Sequence, residues 1–127
     1  MADAATRWIC PYFESLQPPN FTRVWVLNPG AADAKVETHW YDAVTGQQVG
    51  LDEQTVVHGT TYIFVAGTME DAGWLRIASD QPVVPWGTTP IDTFNLPGLF
   101  APMSFYREDA LGLDKIHVPV KIAEAVS

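Results

Sequence analysis

The sequence predicts an all-β fold: a single antiparallel β-sandwich of about seven to nine short strands with an extended C-terminal arm. Three observations predict it. Short runs rich in β-branched and aromatic residues recur along the chain, and 10 prolines and 9 glycines, with Asn and Asp, punctuate nearly every junction between them. No long run carries apolar residues at helical spacing. Over residues 35–41 the side chains alternate instead. Val36, Thr38 and Trp40 share one face, and Lys35, Glu37, His39 and Tyr41 share the other.

The clearest strand covers residues 22–28. Val24, Trp25, Val26 and Leu27 are apolar in succession, so both faces are expected to be covered and the strand to be central, with Trp25 in the core. Asn28-Pro29-Gly30 follows. Proline pre-sets its own φ and glycine tolerates a positive one, so a type II turn with positive φ at Gly30 is expected. Residues 35–41 form the next strand, half buried, with Val36 and Trp40 inward and Glu37 and His39 outward. Thr45-Gly46 turns the chain toward a strand over residues 47–51. Residues 55–58 and 61–66 read as two strands, or as one bent at Gly59. The second is apolar on both faces, with Tyr62 and Phe64 opposite Ile63 and Val65. Residues 74–78 and 83–88 are two further strands, separated by Ser79-Asp80-Gln81-Pro82. Residues 90–102 read as a loop, residues 103–106 as a last strand, and residues 107–115 as a charged spacer with a helical turn. Ile116, Val118, Val120 and Ile122 then alternate with His117, Pro119 and Lys121. Pro119 has no amide hydrogen for a ladder, so residues 115–122 are expected to dock as an edge strand or arm, on their own subunit or a neighbour. The expected division is a sandwich over residues 1–106 and a spacer with its arm over residues 107–127.

Composition bounds the function. The 127 residues are one domain's length. Charged residues make up 17%, below the usual ~25%, so much of the surface is uncharged, as in a protein that hides part of itself against a partner. The 15 acidic and 7 basic residues give a net charge of −8, which repels phosphate backbones and argues against nucleic acid. Cys10 is the single cysteine, so no internal disulfide forms, and its neighbours Trp8 and Ile9 mark it as a small core residue. The first six residues lack the basic and apolar pattern of a signal peptide, and no apolar run is long enough to span a bilayer, so a cytoplasmic location is expected.

Three stretches together resemble the sensory rhodopsin transducer family. The first runs Val24-Trp25-Val26-Leu27-Asn28-Pro29-Gly30-Ala31-Ala32-Asp33-Ala34-Lys35-Val36-Glu37 and on to Tyr41. It is similar to the family's strand, Asn-x-Gly turn, Asp-Ala and Val-Glu-led strand, without a gap. The second is Ser79-Asp80-Gln81-Pro82-Val83-Val84. The third is Trp8 with Thr55-Val56. The resemblance spans residues 8–88 and fades beyond them; the proline-rich loop and the 115–122 arm have no counterpart. It implies a small cytoplasmic β-sandwich that forms a homotetramer and, in one branch, couples to the cytoplasmic face of a membrane receptor, a microbial rhodopsin.

Catalytic signatures are absent from the sequence. Glu37 and His39 lie two apart on one strand face, but no further spacing makes a zinc site. No serine sits in a G-x-S-x-G elbow, and no glycine-rich phosphate loop is present. The carboxylate doublets Asp52-Glu53, Glu70-Asp71 and Glu108-Asp109 are expected in loops, where neighbours point apart. No cofactor is expected. The tryptophans carry the functional signal. Trp74 alternates with Arg76 opposite Leu75 and Ile77, and Trp86 lies in the next run. Trp and Arg are enriched in binding hot spots. Trp74, Arg76, Trp86, Ile116, Val118, Val120 and Ile122 are therefore the expected interface residues. The leading expectation is a non-catalytic homo-oligomer that binds a partner or relays a signal. A carbohydrate or small-ligand binder using exposed aromatic rings is the alternative, and a structural protein assembling into an array is the next.

Overall fold

The computed structural model describes residues 4–14, 22–65, 72–90 and 100–111. Its elements are β1 (Ala5–Phe13), β2 (Arg23–Leu27), β3 (Ala34–Asp42), β4 (Gln48–Val56), β5 (Thr61–Val65), β6 (Gly73–Pro90), β7 (Phe100–Pro102), β8 (Tyr106–Arg107) and the single helical turn α1 (Glu108–Leu111). Every strand pairing is antiparallel, and the all-β class holds.

One strand organises the rest. β6 is 18 residues long and serves two sheets. Its first half lies between β3 and β1 in sheet A, whose order is β4-β3-β6-β1-β8. Its second half pairs with β2, which in turn pairs with β5, and its end pairs with β7; this is sheet B. Between the halves, the register against β1 jumps from Arg7↔Ala78 to Ala5↔Val83. Pro82 has no amide hydrogen to offer, and Asp80 turns out to accept the backbone N–H of Lys35 at 2.8 Å. The strand bends there and passes from one sheet to the other, a corner made by a sheet-switching strand. The two strands expected over residues 74–78 and 83–88 are therefore one, because Ser79-Asp80-Gln81-Pro82, which has the chemistry of a turn, bends the strand without ending it.

Both sheets turn their apolar faces to one core. Trp8, Cys10, Val36, Trp40, Leu75 and Ile77 of sheet A pack in one buried cluster with Val24, Val26, Phe64 and Val83 of sheet B. Phe13 meets Trp40 edge to face, with ring centres 5.2 Å apart. The Trp8 indole N–H reaches the Val83 carbonyl at 3.0 Å, so the buried ring has a polar partner across the sheets. Val36 and Trp40 are buried while Glu37 and His39 face outward, as the alternation in β3 predicts. Cys10 is fully buried, and burial pushes its thiol up to about 12, so it is a packing residue and not a nucleophile at neutral pH.

Several local expectations are corrected. Gly30 does not take a positive φ; Gly46 and Gly59 do, at 72° and 73°. The side chain of Asn28 replaces the expected turn, because its Oδ1 accepts the Gly30 N–H at 3.1 Å. Asn28 is fully buried, and its amide also donates to the carbonyls of Ala32 (2.8 Å) and Val56 (3.0 Å), tying the β2–β3 turn to the end of β4. The strand expected over residues 47–51 continues through Asp52-Glu53 to Val56, so this doublet is in a strand rather than a loop. Of the strand expected over residues 103–106, residues 103–105 are not in a strand; β7 precedes them, and β8 begins at Tyr106. Arg107 pairs with Trp8 inside sheet A, so the sheet extends into the expected spacer. Trp25 is half-buried on the outer side of sheet B rather than in the core. Glu70-Asp71 and residues 112–127, including the arm, lie outside the described residues.

Candidate functional site

The outer face of sheet B is built by β5, β2 and the second half of β6. Cross-strand neighbours share a face, so the registers define it. Ile63, Trp25 and Trp86 form one row across the three strands. Val65, Arg23 and Thr88 form the row beside it, and Thr61, Leu27 and Val84 the row on the other side. Trp25 and Trp86 lie nearly parallel, at 7° with ring centres 6.4 Å apart. The guanidinium of Arg23 stands 5.8 Å from the ring centre of Phe100 at the start of β7. Ile63 is 46% exposed, Trp86 45% and Val65 43%. In a chain with 15 acidic residues, β2, β5, β7 and residues 84–90 contain none, and Arg23 is their single charged residue.

Sheet A presents the opposite character. Its outer face carries Lys35, Glu37 and His39 of β3, Glu53 of β4 and Arg76 of β6, with Leu51 at the edge. Tyr41 and Trp74 stack at 4.1 Å and 10°, which half-buries Trp74. Arg76 donates to Glu108 at the start of α1. Burial opposes the charge of Arg76, but its bonds to Glu108 and Tyr41 outweigh that and raise its pKa above the usual arginine value. Beneath this segment Ile9, opposite Arg76 in β1 and opposite Tyr106 in β8, is only 2% exposed although it lies in the outer row.

The structure therefore separates the expected interface residues. Trp74 and Arg76 lie on sheet A against neighbours of their own chain. Trp86 lies on sheet B and is open. Ile116, Val118, Val120 and Ile122 lie outside the described residues. Ile63, Val65 and Phe100, exposed on the same face as Trp86, are not among the residues the sequence singles out. Their signal in the sequence was the absence of charge from these segments, which composition averages away.

A groove of about 440 Å³ opens where β1 meets β7 and β8, lined among others by Tyr12, Glu14, Pro102, Ser104 and Tyr106. Tyr12 donates its hydroxyl to Glu14 Oε1 at 2.8 Å. Burial, and then the bond and charge of Glu14, hold the Tyr12 hydroxyl above the usual tyrosine range, so it stays a neutral donor. His39 is 3.4 Å from Glu37, and His58 is 2.8 Å from Asp33. Among the described residues, no group of three or more His, Cys, Asp or Glu side chains comes together to hold a metal ion. No helix among them is long and apolar enough to cross a membrane.

Comparison with known proteins places the fold. No family model matches the chain. No curated protein matches it either. Among solved structures it is similar to a sensory rhodopsin transducer from Anabaena, at 24% identity and a TM-score of 0.58, over 69% of this chain and 99% of that one. It is also similar to the Thermotoga maritima protein 1070, at 14% identity and a TM-score of 0.62, over 83% of this chain and 96% of that one. The resemblance read from residues 24–41 and 79–84 is thus met by a likeness of fold to a sensory rhodopsin transducer.

Proposed function

We propose that this chain is a non-catalytic module that assembles with copies of itself and works by binding, passing a signal from a partner such as the cytoplasmic face of a membrane receptor. The observation that carries this reading is the outer face of sheet B. Trp86, Ile63, Val65 and Phe100 are each more than a third exposed there, on segments (β2, β5, β7 and residues 84–90) with no acidic residue. Isolated apolar residues on a surface are ordinary, whereas a contiguous, nearly uncharged aromatic face is the mark of an interaction site. Covering it with a second copy removes Trp, Ile, Val and Phe surface from water at about 25 cal/mol per Å². The likeness of fold to a sensory rhodopsin transducer supports the relay role, and a homotetramer is what the sequence resemblance of residues 8–88 implies. Light scattering at micromolar concentration tests the reading. A mass of several chains is expected, and a clean monomer contradicts it.

The groove beside Tyr12 favours a second reading, a carbohydrate or small-ligand binder. It combines a neutral tyrosine donor, a carboxylate at Glu14 and the partly exposed Tyr106 ring, the mixture of polar and aromatic groups that sugars require. Titration with a panel of oligosaccharides, followed by tyrosine fluorescence, tests it. Saturable binding lost in Tyr106→Ala supports this reading, and no response across the panel contradicts it.

A further inference from the structure

Among the described residues the sandwich leaves two strand edges of useful length unpaired, and they differ in charge. At the edge of sheet A, β4 carries Asp52 and Glu53 at its middle. Two copies paired there would bring these carboxylates together, which is unfavourable. At the edge of sheet B, β5 has the sequence Thr-Tyr-Ile-Phe-Val, with no charge, no proline and no bulge against β2. Natural edges are normally guarded by just those devices. Among the described residues no strand pairs with the far side of β5.

The direction of its free backbone groups follows from the ladder. Asn28 N–H donates to the Thr60 carbonyl at 3.0 Å, so Thr60 is bonded toward the β2 side. Bonded and non-bonded positions alternate along an antiparallel pair. Tyr62 and Phe64 therefore bond to β2, while Thr61, Ile63 and Val65 aim their N–H and C=O groups outward. The side chains of these same three residues lie on the open outer face.

We propose that β5 is a self-pairing edge: two copies of this chain join antiparallel about a two-fold axis at Ile63, making sheet B continuous across the dimer. Ile63 then faces Ile63 of the second copy, and Thr61 faces the second copy's Val65. This register engages all three outward-facing residues, and the absence of acidic side chains lets two copies of net charge −8 approach at this edge. The apolar row Trp86–Trp25–Ile63 is continued by its mirror row, doubling the face on which the proposed assembly rests. The inference depends on that self-assembly and names where it begins.

Cysteine crosslinking in the full chain tests the register. The native thiol of Cys10 is fully buried and does not compete. In the proposed dimer, the Ile63→Cys positions face each other at about 5.5 Å between Cα atoms, within disulfide reach. The Val65→Cys positions are about 14 Å apart, beyond reach. Under mild oxidation Ile63→Cys should form a covalent dimer at least about tenfold faster than Val65→Cys. Equal rates, or no crosslink in either variant while light scattering still gives several chains, overturn the edge pairing and leave the assembly reading intact. In that case the apolar stripe of residues 116–122 becomes the candidate occupant of the edge. A monomeric mass for the unmodified chain overturns both.

Discussion

On sheet A the outer-row residue Ile9, on the strand that pairs with the chain's own β8, is 2% exposed; on sheet B the outer-row residue Ile63 is 46% exposed. Both rows are crossed by β6, and each has an aromatic stack, Tyr41 with Trp74 on sheet A and Trp25 with Trp86 on sheet B. The first stack is flanked by charge and closed by the Arg76–Glu108 pair. The second lies among segments, β2, β5, β7 and residues 84–90, whose single charge is Arg23. The difference teaches that aromatic content alone does not mark an interface here. What marks the proposed one is aromatic surface that the described residues neither cover nor surround with charge.

The sharpest way to break this comparison is to remove the same atoms from both faces. Ile9→Ala should cost about 2–5 kcal/mol of unfolding free energy, because a buried isoleucine leaves a cavity. Ile63→Ala at low concentration, where any assembly is dissociated, should cost well under 1 kcal/mol, as for a surface change. Urea melts of the two variants decide the point, and equal losses would erase the distinction. Asn28→Ala comes next, at about 1–3 kcal/mol, because the buried carbonyl of Val56 and the partly buried one of Ala32 lose their donor. Gly30→Ala, in the same turn, should leave the melting temperature close to that of the parent, since no positive φ is required there. A Gly30 variant as damaging as the Asn28 one would restore the type II turn.

The smallest effect belongs to the turns. Asp33 sits below its ordinary value through the backbone N–H and then the ring of His58, and Asp42 through the backbone N–H groups of Thr45 and Val44. A carboxyl whose pKa is lowered by folding contributes stability that is fully present above the unfolded value, near 3.8, and lost as pH falls through the lower folded value. The melting temperature should therefore stay level from neutral pH down to about 5 and drop below about 4. Asp33→Asn with Asp42→Asn should make that drop shallower; an unchanged acid limb would mean these turns add nothing.

Much of the architecture was legible because period-two alternation fixes a phase. In β3 the order Val36, Thr38, Trp40 against Glu37, His39 assigns the faces by itself. Where alternation fails, so does the phase. The run from Val24 to Leu27 is apolar throughout, and only its pairing to β5 and β6 shows that Trp25 points outward. The edge position of β5 is likewise a property of topology, so Ile63 and Val65 read as buried cover when they are open surface. Trp86 stands out by its type, but its separation from Trp74 onto the other sheet is not legible. The bend at Asp80 and Pro82 carries β6 from one sheet to the other, and adjacency along the sequence does not report that turn.

The central claim is that the outer face of sheet B is where this chain meets its own copies. Light scattering on Trp86→Glu beside Thr55→Glu, a substitution on an exposed residue of β4 in sheet A, tests it most directly. The account predicts that Trp86→Glu falls to the mass of one chain while Thr55→Glu keeps the mass of the parent. An unchanged oligomeric mass in Trp86→Glu contradicts it.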